Sequence, residues 1–350
     1  MYKRLIFYGI TISAIVLVYI KFSELRLLQN FFTHAKGSSL AGIIVIQFVT
    51  FLALAYNYQS VLAIKNLRIG VWSLFPITFV IQFISQALPT AGISGQVFFI
   101  AYLKKYGLTL AEGIGRAILE MATLYVAYAV FFVISAGLLF RSDVFRAHPE
   151  ILFFVYAFLA FAGLCWAVVV LSQKNRRATW LHRLIDRFTR LMRQLGVHQS
   201  GWFQKLSSHG EHFAMVRDQF RETLSIEALA PKKWLFIKAC LWQGTGLMTH
   251  VLTLYVISIA LGHTISFAVC FIAFTFSKFL SMVSIIPGAP GVFEGAMVLI
   301  LISFGVDKSV ALAATLLTRA FTFWLPMPIG WILYARYMKK FGEADKAVVS

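Results

Sequence analysis

Charge is what this chain has least of. Asp, Glu, Lys and Arg make up 13% of its 350 residues, where soluble domains carry about 25%. Apolar residues make up 59% and aromatics 16%, with a mean hydropathy of +0.78. A soluble domain has no interior large enough to hide that much apolar surface. Negative charge is the scarcer sign, 14 acidic residues against 32 basic ones, for a net charge of +18. Cysteine is nearly missing. Cys165, Cys240 and Cys270 all sit in apolar runs at no ligand spacing, so they announce neither a disulfide framework nor a metal site. Walker, GxGxxG and HExxH patterns are missing as well, which argues against nucleotide hydrolysis and against a resident cofactor. The pair His209 and His212 in "HGEH" has no further ligand near it, so no metal is expected and no catalytic residue is identified.

What is present is apolar sequence in long pieces. Runs fall at roughly 5–20, 39–63, 70–88, 96–103, 109–140, 150–172, 232–261, 264–286, 292–304 and 309–335. Most are long enough to cross about 30 Å of hydrocarbon as helices. They predict an all-α polytopic membrane protein. The N-terminus has a basic start and an apolar run without a small-residue cleavage site, and reads as a retained first span or signal-anchor.

Two runs are too short to cross comfortably, "QVFFIAYL" at 96–103 and "FEGAMVLILISF" at 293–304. Each follows a break rich in proline and glycine. The first break runs from Pro89 through Gly92 to Gly95, and the second holds Pro287, Gly288, Pro290 and Gly291. An offset of 198 residues lays Pro89 on Pro287, Gln96 on Glu294 and Gly107 on Gly305 without a gap. Coincidental helix kinks are the plain alternative, but identical spacing in identical element order favours an internal repeat.

Basic residues orient the copies, because Lys and Arg gather in cytoplasmic loops. The segment 173–233 holds 12 of them against five acidic residues and is taken as internal. The resulting topology puts 22 Lys and Arg inside and six outside, with both termini cytoplasmic and segments 21–38 and 141–149 external. Each short run then returns to its own side as a re-entrant hairpin, one entering from each face, which makes the repeats inverted; two full spans would give the same ends, and the shortness of 96–103 favours the hairpin. Backbone broken at membrane depth is tolerated where protein or a polar cavity covers it. Paired interrupted segments of this kind point to a transporter's binding site.

The expected organisation is an N-terminal span and external loop at 1–38 and a first membrane repeat at 39–172 with its hairpin at 70–107. A basic linker at 173–231 leads to a second repeat at 232–340, with its hairpin at 264–305, and a tail at 341–350. Within the linker, 179–197 alternates apolar and arginine faces. It reads as an amphipathic helix on an anionic inner leaflet, or as one packed on the bundle. Positive-inside topology accounts for the high pI without nucleic acid.

Five ionisable residues fall at membrane depth: Arg116, Glu120, Lys278, Glu294 and Arg319. Such residues are costly there and mark a pathway or a paired interior. Arg116 and Glu120, four apart, are placed to pair with each other. One reading makes all five salt-bridged struts. The other makes them the lining of a cationic cavity for a phosphate-bearing headgroup, together with Gln96 and the backbone of Pro287, Gly288 and Gly291.

The pairing of "LPTAGISGQ" with "IIPGAPGVFEGAMVLILISFGV", followed by "ALAATLLTRAFTFWLP", resembles the lysylphosphatidylglycerol synthase transmembrane-domain family, also called flippase-like integral membrane proteins. The resemblance covers about residues 5–340. It implies an inverted-repeat fold with two re-entrant helices, and movement of phospholipids or lipid-linked envelope precursors between leaflets of a bacterial plasma or inner membrane. Where the family often shows Gly-Glu and a later Glu-Arg, this chain has Gly95-Gln96 and Glu120-Met121, which leaves the role of Gln96 open. Larger relatives append a soluble aminoacyl transferase, for which 350 residues leave no room, so synthase activity is not implied. The expected partners are membrane phospholipids and anionic headgroups, with envelope-biosynthesis enzymes as further candidates. A non-transporting scaffold for an envelope glycosyltransferase and a lipid-modifying enzyme are the alternative functions.

Overall fold

Glycine and proline punctuate the apolar runs, and helices form between the marks. The computed structural model describes residues 37–87, 93–142, 230–283, 289 and 291–349. All regular structure among them is helical. In order these are α1 (Gly37–Ile64), α2 (Val71–Ala87), α3 (Ile93–Leu103), α4 (Leu110–Phe140), α5 (Lys233–Ala260), α6 (Phe267–Val283), α7 (Val292–Ser303), α8 (Lys308–Arg319) and α9 (Pro326–Val349). The runs at 5–20 and 150–172, the segment 179–197 and the pair His209 and His212 lie outside the described residues. So do Pro89, Gly92, Pro287, Gly288 and Pro290.

Burial is distributed as a membrane demands. Ile44 and Val45 on α1, Val133 on α4, Leu241 on α5 and Leu299 on α7 stand exposed, while Gln47, Thr50, Asn57, Thr123, Thr249 and Thr253 are buried. Large apolar side chains outside and hydrogen-bonded polar ones inside suit helices surrounded by lipid. Among the described residues three stretches, Gly37–Ile64, Leu110–Phe140 and Lys308–Tyr337, are long and apolar enough to cross a membrane.

The lengths of successive helices repeat. α1 and α5 each have 28 residues, α2 and α6 each 17, and α3 and α7 have 11 and 12. The punctuation repeats too. Gly107 and Gly305, 198 residues apart, both adopt left-handed backbone, with φ of 76° and 78°. Two residues later in each case a cap begins the next helix. Thr109 accepts from the Glu112 amide, and Asp307 accepts from the Ser309 amide at 2.8 Å. The Ser309 hydroxyl and amide together hold the Asp307 carboxyl below its ordinary range.

Packing joins the two sets reciprocally. α1 lies along α5, α2 packs on α3 and on α9, and α6 packs on α7 and on α4. Where α1 crosses α5, Thr50 donates to Thr249 at 2.7 Å and Gln47 to Thr253 at 2.9 Å. The last turn of α1 is clasped from two sides. Lys232 Nζ donates to the Ile64 carbonyl at 2.8 Å, and Arg116 Nη2 reaches the Lys65 carbonyl at 3.3 Å. Both cations sit where the helix dipole favours them.

The run at 309–335, expected as one long helix, is divided. Residues 320–324 form a π-helical turn in which the Leu325 amide reaches back five residues to the Ala320 carbonyl at 2.8 Å. Pro326 supplies no amide, and its ring cannot sit against a carbonyl four residues earlier, so the ladder widens before it.

Candidate functional site

Of the residues singled out from sequence, Glu294 and Arg319 meet in one group, and Gln96 and Glu120 meet in another. The first lies on α7 and α8. Glu294 stands in the first turn of α7 and Arg319 at the end of α8, and Arg319 Nε donates to Glu294 Oε1 at 2.7 Å. The other carboxylate oxygen, Oε2, accepts the Gly291 amide at 2.7 Å. Glu294 thus ties the broken backbone to α8 with both its oxygens. The guanidinium is sandwiched between aromatic rings, 4.7 Å from the centre of Phe293 and 4.3 Å from that of Phe323. Phe323 belongs to the π-helical turn, which begins one residue after Arg319.

Two further groups stand near this pair. The charge of Lys278, on α6, interacts with that of Arg319 and with His250 on α5. Among the described residues Lys278 makes no hydrogen bond or ion pair. His250 stacks on Phe274 at 5.6 Å, and its Nδ1 is buried without a partner. His250 was not foreseen from sequence, because a single His inside an apolar run carries no spacing signal.

The second group lies on α1, α3 and α4. Gln96 Nε2 donates to Glu120 Oε2 at 2.5 Å, and the phenol of Tyr58 stands beside both. Asn57 braces the same level, donating to Thr123 Oγ1 at 3.0 Å and to the Ala239 carbonyl at 2.9 Å. Gln96 and Glu120 are 24 residues apart, Glu294 and Arg319 are 25 apart. In each set a first-turn residue of the short helix bonds to the helix that follows.

Two expectations are corrected. Arg116 and Glu120 do not pair. Helical side chains lean toward the N-terminus, and Arg116 follows this lean, donating to the Glu112 carbonyl at 2.9 Å and to Lys65 beyond it. Arg116 is therefore a strut for the end of α1, apart from both groups. The Gly291 amide, expected to face a ligand, is taken by Glu294.

Gly291 nevertheless has a firm conformational requirement, with φ of 84°. A Cβ there meets nothing within 4 Å, so substitution costs backbone strain rather than collision. Gly291→Leu should lower stability by about 1–2 kcal/mol. Val298→Leu, farther along α7, should change it little. Thermal unfolding of both variants in the same detergent checks this, and equal midpoints would contradict it.

Comparison with known proteins agrees with this picture of a helical membrane protein. Over 136 residues the chain is 29% identical to the UPF0104 membrane protein PH1989 of Pyrococcus horikoshii. That match takes in 36% of this chain and 41% of the relative, so the chain spans less than half the length of that protein. A UPF0104 membrane protein of Methanothermobacter thermautotrophicus is 22% identical over 291 residues, 82% of each chain. The profile of the lysylphosphatidylglycerol synthase TM region matches residues 6–330. The chain belongs to the lysylphosphatidylglycerol synthase TM region family.

Proposed function

We propose that this protein is a flippase-like transporter that carries a phospholipid or lipid-linked envelope precursor between leaflets of the cell membrane. Its anionic headgroup is held beside Lys278, Glu294 and Arg319. Lys278 carries this reading. It is a cation within an apolar helix, and Glu294, the carboxylate of this group, is already committed to Arg319 and the Gly291 amide. A buried charge without a counter-ion is costly, and a phosphate supplies the missing anion. Two cations against one carboxylate leave the site net positive. Chemistry is not assigned to it, since no nucleophile and base stand together among the residues described.

The architecture supports the same reading. The repeated helix lengths and reciprocal packing fit an inverted repeat, and the charge bias favours cytoplasmic termini. At about 1.5 Å per residue, helices of the length of α3 and α7 reach only about 17–18 Å of a core about 30 Å thick. Paired with α2 and α6, they make two re-entrant hairpins, within 70–107 and 264–305, that enter from opposite faces. The repeats then occupy 39–172 and 232–340, joined by the basic linker 173–231.

Proteoliposomes carrying a short-chain fluorescent phosphatidylglycerol test the function. Wild-type protein should speed its movement between leaflets. Lys278→Gln should cut the rate at least tenfold, the loss expected when a charged hydrogen bond worth about 1.5–3 kcal/mol disappears. Lys308→Gln, at an exposed position, should leave the rate alone. Wild-type rates from Lys278→Gln would overturn the site. Wild-type protein that moves no lipid would favour a scaffold instead.

A further inference from the structure

The second polar group is not used by the headgroup site proposed above, and its chemistry is specific. Glu120 is only 4% exposed, and the described structure gives its carboxyl no cation. Arg116, one turn earlier, spends its guanidinium on the carbonyls of Glu112 and Lys65. Glu120 instead accepts one amide hydrogen bond from Gln96 Nε2. The other half of that amide is anomalous, because Gln96 Oε1 is buried and has no partner. An ionised carboxylate supported by a single amide, next to an orphaned carbonyl oxygen, is an expensive arrangement away from water.

One proton removes the charge, the larger of the two costs. A protonated Glu120 has an O–H to donate, and Gln96 Oε1 is the acceptor waiting for it. The two ends of a glutamine amide exchange by a half-turn of the group. Two arrangements of the same residues therefore alternate. With Glu120 ionised, it accepts from Nε2. With Glu120 protonated, the amide turns and Glu120 donates to Oε1, beside the phenol of Tyr58.

We propose that Glu120, Gln96 and Tyr58 form a proton site, in which Glu120 takes up and releases one proton while the Gln96 amide turns over. On uptake one O–H bond forms on the carboxylate, the proton comes from water on one side of the membrane, and the site goes from one negative charge to none. Release reverses each step. A metal cation suits the place poorly, because such ions gather several oxygens and this set offers one carboxyl, one amide oxygen and one phenol. The surroundings are apolar: Phe99 lies 4.6 Å from Tyr58, and Leu119 and Ala117 are buried alongside.

The groups facing Glu120 are few. α1 brings Tyr58 and α3 brings Gln96, and Arg116 lies on α4 itself. α5 reaches this level at Ala239, with Cys240 next to it in sequence, and α6 meets α4 farther along at Phe131 and Phe132.

The site is placed to drive the transport proposed above, and that coupling rests on the transporter reading, whereas the proton site does not. Infrared difference spectra of the purified protein in nanodiscs, recorded across a pH titration, test the site alone. A carboxylic-acid carbonyl band should appear as pH falls, vanish in Glu120→Gln, and persist in Glu294→Gln. Glu120→Asp should keep a shifted band, which guards against a Gln variant that fails to fold. Gln96→Leu, lacking the donor to the ionised form, should move the midpoint upward. A band that never titrates would overturn the proposal. So would one that follows sodium at fixed pH, which would mark a metal cation instead.

Coupling is then read in the fluorescent-lipid assay under an imposed pH gradient. The gradient should raise the wild-type rate at least threefold and leave Glu120→Gln unresponsive. Wild-type movement indifferent to the gradient would overturn the coupling. If wild type moves no lipid while the band still titrates, the transporter reading fails and the proton site stands.

Discussion

Arg319→Ala should destabilise this protein more than any other single substitution at the polar groups described. The change removes the partner of Glu294 Oε1 at 2.7 Å, and with it the filling between Phe293 and Phe323. Both side chains are nearly enclosed, 9% and 15% exposed for Arg319 and Glu294. Breaking a buried pair from one side costs about 3–5 kcal/mol, chiefly because the other charge is stranded. A lower unfolding temperature and a poor yield in detergent are the expected results. The double variant Glu294→Gln/Arg319→Leu should recover most of the loss. It strands no charge, and the carbonyl oxygen of the substituted amide can still accept from the Gly291 backbone. If the double variant unfolds no later than Arg319→Ala, the stranded charge is not the cause. If Arg319→Ala melts with the wild type, the pair contributes nothing.

That pair is also where sequence and structure agree best. Glu294 and Arg319 were legible because a carboxylate and a guanidinium in apolar runs have few ways to be satisfied. The helix starts after Gly107 and Gly305 were legible because only glycine takes the left-handed backbone cheaply. Arg116 was misread for a reason spacing does not reveal. Residues four apart share a face, but the lean of each side chain decides which of them meets a carbonyl instead. Tyr58 and His250 were missed because phenols and single histidines are ordinary inside apolar helices. The π-helical turn was missed because proline marks a disturbance without saying how the ladder rearranges.

Gly330→Leu is the second substitution expected to have a large effect, and its cause is steric. A Cβ at Gly330 would lie 2.5 Å from the Phe79 carbonyl oxygen and 2.6 Å from the Cβ of Phe83. Neither obstacle is the end of a flexible chain, so α9 must move away from α2. Overpacking of this kind costs about 1–3 kcal/mol. Gly330→Ala should already show part of the loss. Gly137→Ala on α4 is the control, because nothing lies within 4 Å of its added Cβ. It should hold or raise the unfolding temperature, alanine being the better helix former by about 1 kcal/mol. Equal behaviour at the two glycines would show that α2 and α9 do not approach as closely as described.

The π-helical turn at 320–324 also fixes the rotational phase of everything after it. An α-helix turns about 100° per residue, and a π turn takes up one residue more than an α turn. The face presented by α9 is therefore offset by about that angle from the one an unbroken continuation of α8 would present. With the offset, Arg319 meets Glu294 while Tyr334 and Tyr337 meet Phe98, and Tyr337 also meets Tyr102. Deleting a single residue from 320–324 would rotate those tyrosines out of register with α3. The extra residue works as a vernier: it lets one continuous stretch of chain address the second polar group's neighbour helix and the first group at once, on faces that a regular helix would not align.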